Sequence, residues 1–264
     1  MTTSNNMDMN SKSCILLSHV FIRSDETYKL DLVNFSVKHC RRNNPDAYII
    51  LTGHGLVPDE ALSYCDYTYW QQDIVEKDLN VGHPHLVNIG LNHAIENGFD
   101  YVCKSRSDGV HLIQNLLDFS HSKLEDKKLL ITQQTKFHTM HMGDLFMYGK
   151  VDFLKECWNM KTWYPTETGL TSLANNFLSA CLEDEWVDAL RNNCSFIDIY
   201  NLKWIDFRAN WNALKDLKEE LLENSLQDYE NYLWGTTEGW HRFDSQGNLT
   251  CNNYLNVITE KTWV

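Results

Sequence analysis

Three apolar runs, each set off from the next by a helical pattern, do most to limit what this chain can fold into. Ser13–Phe21 (SCILLSHVF) and Ala47–Thr52 (AYIILT) are continuous rather than alternating, which implies strands covered on both faces. The third run opens the stretch Phe99–Asp108 (FDYVCKSRSD), where Phe, Tyr, Val and Cys favour a strand. Between the first two, Ser24-Asp25-Glu26 opens a helix with Leu30, Val33 and Val37 on its inner side, and Asn43-Asn44-Pro45 stops it. Pro58-Asp59-Glu60 starts a short helix, and Tyr67–Trp70 reads as a third, shorter strand. A helix over His85–Asn97 comes next, with Gly98 as its C-cap and the next strand immediately behind. Alternation of this kind builds a mostly parallel α/β sheet with right-handed crossovers.

Such a layout is that of a Rossmann-type nucleotide-binding half. The chain has neither GxGxxG nor GxxxxGK[ST], however, which argues against a dinucleotide enzyme or a P-loop kinase. The second half changes character. Leu112–Phe119 is expected to be helical, Leu129–Thr132 a strand, and Asp144–Tyr148 (DLFMY) another strand ending at Gly149. Val151, Leu154 and Trp158 mark an amphipathic helix. Leu170, Leu173, Ala174, Phe177, Leu178, Cys181 and Leu182 form the clearest helical stripe in the chain. A long acidic helix is expected over Trp211–Leu233, and the Trp- and Asn-rich tail from Gly235 would fold back as an irregular accessory layer.

With 264 residues, the chain suits one large domain over residues 13–264 behind a frayed polar tail, residues 1–12. Within it, residues 13–110 would bind nucleotide and residues 111–264 would form the acceptor side and C-terminal extension. A formal charge of −13 opposes binding to nucleic acids or anionic membrane surfaces. The eight cysteines form no CxxC and sit mostly in apolar runs, as reduced core thiols do. No stretch reads as a signal peptide or transmembrane span, so the expected location is the cytoplasm.

The chemistry concentrates at the end of the Phe99–Asp108 stretch. Lys104, Arg106 and Asp108 alternate, so in an extended chain they share one face, about 6.5 Å apart per step. Open α/β sheets bind ligands at such strand ends. The two cations suit phosphate oxygens, and the carboxylate suits a divalent metal carrying them. The competing reading is a surface strand end closed by an internal Arg106–Asp108 ion pair.

The run Asn80–Asp108 (NVGHPHLVNIGLNHAIENGFDYVCKSRSD) resembles the WavE-type lipopolysaccharide-synthesis glycosyltransferases, above all in its Lys-x-Arg-x-Asp strand end. Gly143–Lys150 (GDLFMYGK) is similar to the family's acidic strand, and Pro165-Thr166-Glu167 to its Pro-Glu segment. The resemblance implies a GT-A-like fold, in which a DxD motif holds Mn²⁺ or Mg²⁺ on a nucleotide-sugar diphosphate. At that position this chain reads Arg106-Ser107-Asp108, so the first carboxylate is replaced by a cation. The family's helix Arg falls at His83 or His85, and Asn88 joins the expected donor-binding residues.

The reaction that this resemblance implies is glycosyl transfer from a nucleotide sugar to a glycan or glycolipid acceptor in polysaccharide biosynthesis. Asp108 with a divalent ion, helped by Lys104 and Arg106, would stabilise the diphosphate leaving group. Glu167 and Asp144 are the candidate bases for the acceptor hydroxyl. Each has a plainer role available, Glu167 beside a helix dipole and Asp144 in a turn. Ser18, His19 and Thr52, at the ends of the first two strands, should border the nucleotide. His241 is the expected late-chain metal ligand by resemblance; the HxxH pair His138 and His141 lacks a fourth ligand for zinc. Two alternatives stand beside glycosyl transfer. One is a sugar-1-phosphate nucleotidyltransferase, although the run after the first strand, SHVFIRSDE, has no glycine for its phosphate loop. The other is a non-catalytic carbohydrate-binding protein on the same fold.

Overall fold

The computed structural model describes residues 11–18, 22, 27–72, 79–111, 113–132, 140, 142–163, 170–197, 202 and 204–206. Four parallel strands form one half of a mixed seven-stranded sheet: β1 (Ser13–Ser18), β2 (Tyr48–His54), β3 (Tyr67–Gln71) and β4 (Tyr101–Arg106). β6 (Leu129–Thr132), β7 (Phe146–Lys150) and β8 (Cys194–Ile197) form the other half, in the order β3-β2-β1-β4-β7-β6-β8. β7 alone among these runs antiparallel to its neighbours. A separate two-stranded ribbon joins β5 (Gly109–His111) to β9 (Trp204–Asp206).

The continuous apolar strands have the covering their composition demands. On one face lie α1 (Tyr28–Asn43), α2 (Asp59–Leu62) and α4 (Leu116–Leu124). They bury Ile15, Leu17, Ile49, Leu51 and Cys103 with Val33, Val37 and Leu116. On the other lie α3 (Leu79–Glu96), α5 (Val151–Cys157), α6 (Leu170–Cys181) and α7 (Trp186–Asn193). They bury Cys14, Leu16, Ile50, Val102 and Met147 with Val87, Leu91, Leu154 and Phe177. The period-2 geometry of the strands sends odd residues of β1 to one core and even residues to the other. Gly90 lets α3 lie close over β1, since a Cβ there would stand 2.3 Å from Leu16 Cδ1.

Several boundaries differ from the sequence expectation. The first strand is described over Ser13–Ser18, and the rest of the run expected to Phe21 lies outside the described residues. α3 starts at Leu79, with Pro84 inside it, although a proline reads as a boundary. The helix expected over Leu112–Phe119 lies at Leu116–Leu124, and the strand expected from Asp144 starts at Phe146. α7, β8 and the β5–β9 ribbon carry no clear periodicity and add to the expected elements. The acidic helix over Trp211–Leu233 and the tail behind it lie outside the described residues.

β1 lies between β2 and β4, and the chain leaves it in both directions. This is the switch point of the sheet, where open α/β folds form a cleft at the strand ends. Beside it, Ile22 is pinned to the end of β2: its N–H donates to the His54 carbonyl at 3.1 Å, and its own carbonyl accepts from Leu56 at 3.0 Å. Gly55 makes this possible, with φ at +96° and room for no side chain, since a Cβ would lie 2.1 Å from the Ile22 carbonyl oxygen.

Candidate functional site

Register assembles the site. Ser18 of β1 pairs with Thr52 of β2 on one side and Arg106 of β4 on the other, so the three form a row across the sheet. Paired residues project to the same face, here the face under α3. One row deeper, Lys104 aligns with Leu16 and Met147. Because β7 is antiparallel to β4, the residues leading into it arrive at the edge where β1 and β4 end. Asp144 enters there, and α3 brings His83 from above.

These side chains are bonded to one another. Ser18 Oγ lies 2.9 Å from His83 Nε2, and His83 Nδ1 lies 3.2 Å from Asp144 Oδ2. Arg106 Nη1 stands 3.6 Å from the same Asp144 oxygen. Its Nε donates to Asp108 Oδ1 at 3.0 Å and its Nη2 to Asp108 Oδ2 at 2.6 Å, a two-pronged fork. The strand stops at Arg106, and the turn at Ser107–Asp108 folds Asp108 back onto the guanidinium. Lys104 Nζ donates to the backbone carbonyl of Asp144 and sits 4.8 Å from the centre of the Trp158 ring. Trp158 also meets His83 edge-on, with ring centroids 5.4 Å apart, and stacks on Trp163 at 5.6 Å.

Burial sets the electrostatics. Lys104 is fully enclosed and Asp108 is 3 % exposed, whereas the Arg106 side chain keeps 17 % of its surface. Burial pulls the Lys104 ammonium down to about 8, against the opposing pull of Asp144. Burial likewise lowers His83 to about 4, helped by the Lys104 charge, so the imidazole is neutral near pH 7. For Asp144 burial acts upward, but Arg106, Lys104 and His83 together outweigh it and hold the carboxyl well below the usual range. The group is therefore two cations and two carboxylates joined through a neutral imidazole.

Of the residues expected at the site, Ser18, Arg106, Asp108 and Asp144 come together here. Lys104 is adjacent but sealed beneath Trp158, with its Nζ turned to the Asp144 carbonyl. Thr52 lies in the same row; its Oγ1 is buried and makes no hydrogen bond among the described residues. Asn88 is engaged elsewhere: its amide nitrogen donates to the Pro84 carbonyl at 2.8 Å and the Trp158 carbonyl at 2.5 Å, and its oxygen accepts from Lys155 at 2.5 Å. His19, Glu167, His241, His138 and His141 lie outside the described residues. The links of His83 to Ser18 and Asp144, and the roof formed by Trp158, join residues far apart in sequence that no periodicity connects.

The described residues do not fit a divalent ion held by Asp108. Both its oxygens are bound by Arg106, and Asp144 is shared between His83 and the same guanidinium. Among the described residues no group of three or more His, Cys, Asp or Glu is placed to hold a metal. A further positive charge brought beside the Arg106 guanidinium would also be repelled by it.

No family model matches the chain, and no curated protein matches it either. Among the described residues no helix is long and apolar enough to cross a membrane. Solved structures do align. A cytidylyltransferase of Leptospira borgpetersenii superposes with a TM-score of 0.51 at 11 % identity, over 88 % of this chain and 100 % of that one. A protein described as a nucleotide-diphospho-sugar transferase, from Desulfovibrio desulfuricans, gives 0.47 at 12 % identity over 84 % and 97 %. The 4-diphosphocytidyl-2C-methyl-D-erythritol synthase of Anaerococcus prevotii gives 0.48 at 10 % identity over 81 % and 97 %. At such identities the likeness speaks for the fold alone, and the first of the three carries it. With the strand order 3-2-1-4-7-6-8 and a single reversed strand, the chain has a GT-A-like α/β fold.

Proposed function

We propose that the protein transfers a glycosyl group from a nucleoside-diphosphate sugar to a glycan or glycolipid acceptor. The observation that carries this reading is Arg106: a partly exposed guanidinium at the switch point of a GT-A-like sheet, in a row with Ser18 and Thr52. In the reaction the bond from the anomeric carbon to the diphosphate oxygen breaks, and the diphosphate leaves with its electron pair. The acceptor oxygen bonds to that carbon and gives its proton to a base. Arg106 neutralises charge developing on the leaving oxygens. Lys104 and His83 hold Asp144, and Asp144 in turn orients Arg106. A carboxylate so strongly stabilised in its ionised form is a weak base, which leaves Glu167 as the proposed acceptor base. The resemblance to WavE-type enzymes is the reason for favouring a lipopolysaccharide-like acceptor.

Nucleotidyl transfer is the second reading, favoured by the cytidylyltransferase among the structural neighbours and opposed by the glycine-free run after β1. One pair of assays separates them. The protein is incubated with a panel of nucleotide sugars and release of nucleoside diphosphate is monitored; in parallel, nucleoside triphosphates with sugar-1-phosphates are tested for pyrophosphate. The first reading expects diphosphate release from one donor, reduced about 100-fold or more by Arg106→Gln. Pyrophosphate release alone transfers the case to the second reading. Activity in neither assay sinks both.

A further inference from the structure

The fork between Arg106 and Asp108 occupies the place where the fold would be expected to present a carboxylate to a metal. We infer that Arg106 takes the part of that metal, and that a diphosphate binds here without any divalent ion by displacing Asp108 from the guanidinium. This rests on the proposed use of a nucleotide diphosphate and specifies how its charge is met.

Three features support the exchange. First, the group sums to zero: Lys104 and Arg106 are balanced by Asp108 and Asp144, with His83 neutral between Ser18 and Asp144. An added diphosphate brings at least two negative charges into this balanced setting, so one carboxylate must give way. Second, the carboxylates meet Arg106 differently. Asp108 takes both prongs of the fork, at 3.0 and 2.6 Å, whereas Asp144 stands 3.6 Å from Nη1 and 3.2 Å from His83 Nδ1. A phosphate that takes the fork therefore displaces Asp108 and leaves Asp144 with His83. Third, the geometry transfers. A guanidinium that grips a carboxylate with two parallel N–H donors grips two phosphate oxygens in the same way. Asp108 thus acts as a resident stand-in for the phosphate, and it competes with it.

This reverses the effect expected of a metal ligand. Removing the Asp108 charge should strengthen diphosphate binding, whereas removing a carboxylate that carries the metal should weaken it. The test is calorimetric titration of UDP, CDP, GDP and ADP into the full chain, in EDTA and again with Mn²⁺ or Mg²⁺. The wild-type protein is expected to bind its preferred diphosphate with the same Kd, within about twofold, in both buffers. Asp108→Asn should bind it about tenfold tighter in EDTA. The charge-balanced double variant, Arg106→Gln with Asp108→Asn, should lose at least about 30-fold relative to Asp108→Asn alone. It leaves neither member of the fork unpaired, so it guards against loss of fold. Binding seen only with Mn²⁺ or Mg²⁺, or weakened by Asp108→Asn, overturns the inference while the proposed function stands. Absence of binding to every diphosphate in both buffers overturns the function and the inference together.

Discussion

The last turn of the sheet at β4 buries polar groups on both faces, by opposite means. Towards α3, Lys104 and Arg106 meet Asp108, Asp144 and His83 in a web of formal charges. Towards α1 the burial is neutral. Ser105 Oγ bonds His111 Nε2 at 2.6 Å and donates to the Leu145 carbonyl at 3.1 Å, and Ser36 Oγ donates to the Gly109 carbonyl at 2.5 Å. Neutral pairs satisfy polar atoms at little electrostatic risk. Buried charges remain stable only while each partner is present, so they are costly to break and easily biased by an incoming ion. Under the proposed function the charged face meets the diphosphate, while the neutral face holds the ribbon against α1.

Deleting one member from each face puts the contrast at its sharpest. Lys104→Ala leaves Asp144 with less compensation and is expected to lower stability by about 3–5 kcal/mol in urea unfolding. Ser105→Ala, one residue on, is expected to lower it by about 1 kcal/mol. Equal losses would remove the distinction between the faces.

Acidification should strain both faces, through their histidines. Burial lowers His39 to about 4 and His111 to about 3, as it lowers His83. The unfolded chain, with histidines near 6.5, binds protons that the folded chain refuses. Stability is therefore intact above pH 6.5 and falls as the pH drops towards 4, by up to about 3 kcal/mol for each histidine. Both ring nitrogens of His39 are buried without a hydrogen bond among the described residues, and the ring packs on Phe35 with centroids 4.5 Å apart. His39→Leu is accordingly expected to flatten the acid limb of a pH–urea stability curve; an unchanged limb would show that His39 protonates freely in the folded state.

The mildest expected effect concerns the roof over Lys104. The Trp158 indole N–H is buried and makes no hydrogen bond among the described residues. Trp158→Phe keeps an aromatic ring over the ammonium and is expected to change stability by no more than about 1 kcal/mol, read as a shift in Tm. A much larger loss would mean that the N–H, rather than the ring, supports the charged face.

The sequence announced the two-sided burial of β1 and β2, because strands covered on both faces need no alternation. The α6 stripe was plain as far as Cys181: Leu173, Ala174, Phe177 and Cys181 are buried with Leu178 packed against them, whereas Leu182, expected on the same stripe, lies past the helix end and is 93 % exposed. Alternation along β4 correctly put Lys104 and Arg106 on the same side. Asp108 obeys a different rule: the strand ends at Arg106, and a turn closes the pair that an extended chain would keep apart. β8 is four residues long, CSFI, too short to separate from a helical fragment by pattern. The meeting of Ser18, His83 and Asp144 rests on register and on the direction of β7, neither of which leaves a local trace.

The reversal of β7 gives this rim two kinds of supplier. Segments trailing β2 and β4 feed it from one side, and the approach to β7 feeds it from the other, delivering the acid and two backbone carbonyls, those of Asp144 and Leu145. Lengthening or reshaping the approach ahead of Phe146 could therefore alter what greets an incoming molecule while every rung of the ladder keeps its partner.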